Sequence, residues 1–149
     1  MTNNDTLRRL RYALNKNDLA VAQITSKSGR KTSKEEVINW LKLKDDPGFT
    51  ELSDSDLCSF LDGLIVEKRG PNPSGNIPLP LKFLSNNEIL KKLRIAYKFK
   101  SDDMLAVFAK AEFDISNAEL GSFYRRSDHP QFAKCPEQVL RKFLKGLSI

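Results

Sequence analysis

The residue types that most often carry catalysis are sparse in this chain, and their spacing does little with them. The single histidine, His129, stands between Asp128 and Pro130. Ser127-Asp128-His129 holds the residue types of a serine hydrolase, but the members of such a triad meet in space and seldom in sequence. A histidine in a turn is more simply a surface or capping group, and no serine or cysteine is placed beside it as a nucleophile. The two cysteines, Cys58 and Cys135, have no metal-ligand spacing and are too few for a disulfide framework. There is no zinc pattern, no phosphate-cradling glycine loop and no dinucleotide fingerprint. The acid pairs Asp45-Asp46 and Asp102-Asp103 fall at expected turns or helix starts, where carboxylates cap amides. The chain is therefore expected to be non-enzymatic, with no cofactor, no metal and no evident small-molecule substrate.

Cations offer a second kind of chemistry. The net charge of +6 is unevenly divided: residues 1–70 hold 12 Lys and Arg against 11 Asp and Glu, and residues 71–149 hold 13 against 8. Lys91, Lys92 and Lys98 lie on or just after one amphipathic stretch, Arg125 and Arg126 follow another, and Arg141, Lys142 and Lys145 lie near the end. Phosphate contacts need such groups, and Tyr97 or Tyr124 could stack on bases if exposed. These eight cations are candidate anion or nucleic-acid contacts. Against this stands the plainer reading that lysines on an outer helix face are simply solvated. A helix-turn-helix placed on residues 20–41 fits poorly, because residues 26–32 are longer than the turn of that motif.

The elements that must position these groups come in two copies. Asn3-Asn4-Asp5-Thr6-Leu7-Arg8-Arg9-Leu10-Arg11-Tyr12-Ala13 returns as Asn86-Asn87-Glu88-Ile89-Leu90-Lys91-Lys92-Leu93-Arg94-Ile95-Ala96, an offset of 83. A fixed period marks a duplicated structural unit. In the first copy, Leu7, Leu10 and Leu14 make one face of a helix over about residues 4–15 with Asn3 or Asn4 as its cap. Asn17 or Asp18 caps a short second helix whose apolar side is Leu19, Ala22 and Ile24. Ser33 and Glu36 form a capping box before Val37, Trp40 and Leu41. Phe49 and Leu52 plug the core, and Ser53 caps a fourth helix carrying Leu57, Phe60, Leu61 and Leu64 until Gly70. The second copy matches with three extra residues in its first loop, aligning Leu105-Ala106-Val107 with Leu19-Ala20-Val21. Ser116 and Glu119 there repeat the capping box, and Leu140, Phe143, Leu144, Gly146 and Leu147 repeat the last helix. Gly63 and Gly146, each inside a final helix, point to a close helix crossing.

No segment alternates as a strand does, so the expected fold is all-α: two similar four-helix repeats packed together in a pseudo-twofold duplication. The repeats span 1–70 and 85–149. Between them, 71–84 is a proline-rich linker whose Ile77, Leu79, Leu81 and Phe83 are expected to lie against a surface. Arg11 and Arg94 fall at the border of the apolar face. They are expected to be structural, Arg11 pairing with Asp45 or Glu36 and Arg94 with Asp128 or Glu119.

The doubled Asn-Asn-x-x-Leu-x-x-Leu-Arg opening and Phe-Leu-x-Gly-Leu close resemble those of the YehS-like family, an uncharacterised group of small bacterial proteins, over nearly the whole chain. The resemblance implies tandem helical domains and a bacterial cytosolic setting, and it carries over no catalytic residue. No apolar run approaches the roughly 20 residues that span a bilayer and the start is polar, so a cytoplasmic location and no membrane partner are expected. The leading expectation is a cytosolic protein-interaction module, engaging a protein partner or a second copy of itself. The alternative is nucleic-acid binding through the basic face of the second repeat.

Overall fold

A side-chain oxygen fixes where most of the helices begin. In the computed structural model, which describes residues 1–149, Thr2, Asn17, Ser33, Ser53, Ser85 and Ser116 each accept from the amide three residues on. This satisfies one of the otherwise unpaired donors of a first turn. The eight helices are α1 (Asn3–Leu14), α2 (Asp18–Ser26), α3 (Lys34–Leu41), α4 (Asp54–Arg69), α5 (Asn86–Tyr97), α6 (Ser101–Lys110), α7 (Asn117–Ser122) and α8 (Glu137–Leu147). The cap of α1 is Thr2, not Asn3 or Asn4, and Ser85 is its counterpart on α5. The Ser33–Glu36 box is complete, whereas at Ser116 only the serine half of the box forms.

The two repeats align at the offset of 83 throughout, with no inserted residues between the first and second helices. α2 starts at Asp18 and α6 at Ser101, and the buried Val21, Ile24 and Thr25 correspond to the buried Met104, Val107 and Phe108. The Leu-Ala-Val identity is a coincidence of composition. Leu19 is in fact exposed, and Val21 takes the inward place beside Ala22 and Ile24.

Both glycine crossings are real. A Cβ on Gly63 would overlap the carbonyl oxygen of Ile24, and one on Gly146 would overlap that of Val107. α4 thus lies against the backbone of α2, and α8 against that of α6 in the same way. Between repeats, α5 runs along α4, start beside start, where the Leu84 amide donates to Asp54 Oδ2 (3.0 Å), and end beside end, where Arg69 donates to the Ile95 carbonyl (3.2 Å). The pseudo-twofold partner of this seam is α8 along α1. There the Met1 amine pairs with Glu137, the counterpart of Asp54. One cluster of 27 buried residues runs through all eight helices.

The linker is held by its backbone. The Leu81 amide donates to Cys58 Sγ (3.3 Å) and the Leu84 amide to Asp54. Ile77 lies beside Gly29, Leu81 is 38% exposed, and Leu84 packs against the core. Contrary to the expectation of a docked segment, three of the four apolar side chains named for it are largely exposed, Leu79 at 88%, Phe83 at 80% and Ile77 at 63%.

Candidate functional site

The residues repeated most faithfully are structural. The Asn4 side chain donates to the carbonyls of Trp40 and Thr50 (both 2.9 Å) and accepts from the Leu52 amide (3.0 Å). Asn87 does the same with Phe123 (3.1 Å), Ala133 (2.9 Å) and Cys135 (2.9 Å), each of them 83 residues on. Asn3 and Asn86 add a bond to the carbonyls of Leu52 and Cys135. A primary amide offers two donors and two lone pairs, so one buried asparagine ties the end of the third helix to the loop before the fourth. The doubled Asn-Asn pair is a loop clamp.

Arg11 and Arg94 both bond backbone just beyond their own helices, and neither meets the acids expected of it. Arg11 Nε donates to the Lys16 carbonyl (3.1 Å) and its Nη1 lies 3.5 Å from Asp18. Arg94 Nε donates to the Phe99 carbonyl (3.2 Å), and its guanidinium stacks 4.8 Å from the ring centre of Tyr124. Both secure the turn after a helix whose cap, Asn15 or Lys98, is left-handed at φ 53° and 57°. Glu36 is instead bound by Arg30 (3.0 Å), which also holds Asp56 (2.8 Å). The Ser33 amide and then Arg30 keep the Glu36 carboxyl below the ordinary carboxylate range.

The eight candidate cations do not share one face. Lys91, Arg125 and Arg126 converge on a cleft floored by Asn87 and Phe132 and rimmed by Glu88. A matching cleft in the first repeat is lined by Asn4, Asp5, Arg8 and Phe49, but Arg8 is held there by Asp5 (2.9 Å) and the Lys42 carbonyl (3.1 Å). Lys92 points into the α4–α5 seam, where it pairs with Asp62 at 2.6 Å and is largely buried. Lys98 is the exposed left-handed cap of α5. Arg141 pairs with Glu137 at 3.3 Å. Lys142 and Lys145 lie on α8 beside α1, and neither is in an ion pair. The sequence list missed two first-repeat groups at this same seam, Arg9 and Tyr12. No local signal in the sequence marks them; comparison of matching positions does so only once α5 is known to lie on α4 and α8 on α1.

His129 Nδ1 accepts from the Gln131 amide (3.0 Å) within an exposed turn. Cys58 and Cys135 are free and buried. Burial raises the pKa of both thiols, that of Cys135 to about 12, so neither is the thiolate that nucleophilic attack or metal binding requires. Burial likewise raises Tyr97, and it raises Tyr124 to about 12 despite the opposing Arg94 charge. No group of three or more His, Cys, Asp or Glu side chains is arranged to hold a metal ion, and no helix is long and apolar enough to cross a membrane.

Comparison with known proteins agrees with the doubling. No solved structure matches the chain. It is 40% identical over 148 residues to the uncharacterized protein YehS of Escherichia coli (strain K12), covering 99% of this chain and 95% of that one. The family model described as a protein of unknown function (DUF1456) matches it twice, over residues 3–70 and 86–149. The chain belongs to the DUF1456 family.

Proposed function

We propose that this protein is a non-enzymatic, cytosolic protein-interaction module, and that its contact is the apolar strip Ile77, Leu79, Leu81 and Phe83. The observation that carries this reading is the exposure of Leu79 (88%) and Phe83 (80%) on a segment anchored by its own backbone. Scattered single apolar residues are normal on a surface, but three largely exposed ones, Ile77, Leu79 and Phe83, stand close together on this one short segment. Pro78 and Pro80 stiffen the segment, so little conformational entropy is lost when it enters a groove on a partner. Recognition of an extended proline-containing strip in an apolar groove is an established mode of protein binding. The two reduced, buried thiols accord with a cytosolic setting.

The test places a photo-crosslinking side chain at Lys82, between Leu81 and Phe83, in the full chain and compares it with the same protein carrying Leu79→Ser and Phe83→Ser. The reading expects a discrete cross-linked partner that the double variant loses by about tenfold, with an unchanged circular dichroism spectrum. Equal capture by both proteins would refute it. Light scattering on the same pair identifies a second copy as the partner if a dimeric mass falls to that of a monomer.

A further inference from the structure

The two seams between the repeats pair equivalent helices in the same parallel sense, but the α4–α5 seam is the more extensive and the two differ in charge. At the α4–α5 seam Asp62 and Lys92 meet at 2.6 Å, Cys58 faces the linker, and Ile95 lies toward the end. At the α8–α1 seam the matching positions, 83 residues away in each case, hold Lys145, Arg9, Arg141 and Tyr12. An acid–base pair is replaced by two cations, a thiol by a third, and an aliphatic side chain by an aromatic one that is 76% exposed. Arg9 and Lys145 are exposed and neither is in an ion pair. Of the nearby acids, Asp5 is engaged by Arg8 and by the Thr2 amide, and Glu137 by the Met1 amine and Arg141. The linker, residues 71–84, lies at the other seam, where the Leu81 amide meets Cys58. The far end of the α8–α1 seam opens into a recess lined by Arg11, Tyr12, Lys16 and Ser148.

We infer that the α1–α8 seam binds single-stranded nucleic acid, with Arg9, Arg141 and Lys145 on successive phosphates and a base stacked on Tyr12. Like charges set side by side repel, and a string of phosphates relieves that repulsion while releasing its own counterions. An acidic peptide would satisfy the cations but has no use for the aromatic face. Arg9 and Tyr12, three residues apart on one helix, supply the charge and the stacking platform that strand-binding surfaces combine. The seam is separate from the linker strip, so this inference stands or falls independently of the protein-binding reading.

The experiment is fluorescence anisotropy of the full chain with a labelled single-stranded RNA of mixed sequence, about 12 nucleotides long. Three phosphate contacts give a salt slope near −2, so affinity should fall about tenfold to twentyfold between about 50 and 200 mM salt. Arg9→Glu with Lys145→Glu should weaken binding at least about tenfold at low salt, because both side chains are exposed and their reversal leaves the core intact. Tyr12→Ala should weaken it by about tenfold. Reversing Lys91, Arg125 and Arg126 together should change it less than about twofold. No binding at about 50 mM salt, or binding indifferent to the Arg9 and Lys145 reversals, would overturn the inference. So would a neutral Tyr12→Ala together with competition by a glutamate-rich peptide as strong as by unlabelled RNA, which would mark the seam as an acidic-protein site.

Discussion

At the scale of single residues, what decides this fold is the satisfaction of buried polar groups. Asn4 and Asn87 each hold three backbone groups, two of them buried and one half-buried, and alanine in either place removes the partner of two carbonyls and an amide. Each such group costs about 1–3 kcal/mol, so Asn87→Ala should destabilise the chain by about 3 kcal/mol, and Asn4→Ala by a similar amount, in urea titrations. Asn87→Asp should be worse, since a carboxylate has no donor for the carbonyls of Phe123 and Ala133. The sequence displayed these asparagines plainly by repeating them, yet it suggested a cap, because local spacing cannot show a partner 36 to 48 residues away. The same limit applied to Arg94, whose guanidinium found a carbonyl and an aromatic ring where an acid was expected. Cys135 adds a pH dependence. Its pKa is near 9.0 when unfolded and about 12 when folded. The folded state then binds more protons than the unfolded state in that interval, so the stabilisation is complete below about pH 9 and is lost as pH rises toward 12. Tyr124, raised from 10.0 to about 12, acts in the same direction at the upper end. Urea midpoints measured from pH 8 to 11 should fall, and Cys135→Ala should fall less steeply across the lower part of that range.

At the scale of elements, helix periodicity and cap chemistry made most of the eight helices legible, because both are local. The glycine inside each last helix was legible too, since its only local effect is a penalty that some close approach must justify. The structure names that approach, the carbonyls of Ile24 and Val107. Helix propensity alone would make Gly63→Ala stabilising by about 1 kcal/mol. The crossing reverses the sign. A methyl group meets backbone that cannot turn aside as a side chain would, and overpacking of this kind costs about 3 kcal/mol or more. Gly63→Ala and Gly146→Ala should therefore both lower the thermal midpoint, while Gly121→Ala, with open space around it, should not. The linker was the element read least well. Its apolar residues looked like a docked strip because hydrophobicity was the only signal, whereas the segment is held through the amides of Leu81 and Leu84, which bond α4.

At the scale of the whole molecule, duplication and the packing of the repeats together were visible in the sequence, and which helices carry that packing was not. The buried cluster runs from Leu7 to Leu144 without a break, and the α4–α5 seam encloses an ion pair, Asp62 with Lys92, drawn from both halves. Offset comparison of the seams was available from sequence only once it was known that α5 lies on α4 and α8 on α1, which is tertiary information. A shared core has a thermodynamic signature. Trp40 is the only tryptophan and reports on the first repeat, while the far-ultraviolet signal reports on all eight helices. Their urea transitions should coincide, as a single cooperative unit requires. Residues 1–70 alone, stripped of α5 and α8, should show no such transition. The sharpest form of the test uses Lys92→Ala, which lies in the second repeat. It leaves the Asp62 carboxylate partly buried without its partner, a loss of about 2 kcal/mol after allowance for its residual exposure. If the molecule is one unit, the Trp40 transition in the first repeat should move to lower urea by as much as the helical signal does. If the repeats were independent, with α4 stable by itself, the tryptophan midpoint would stay where it was.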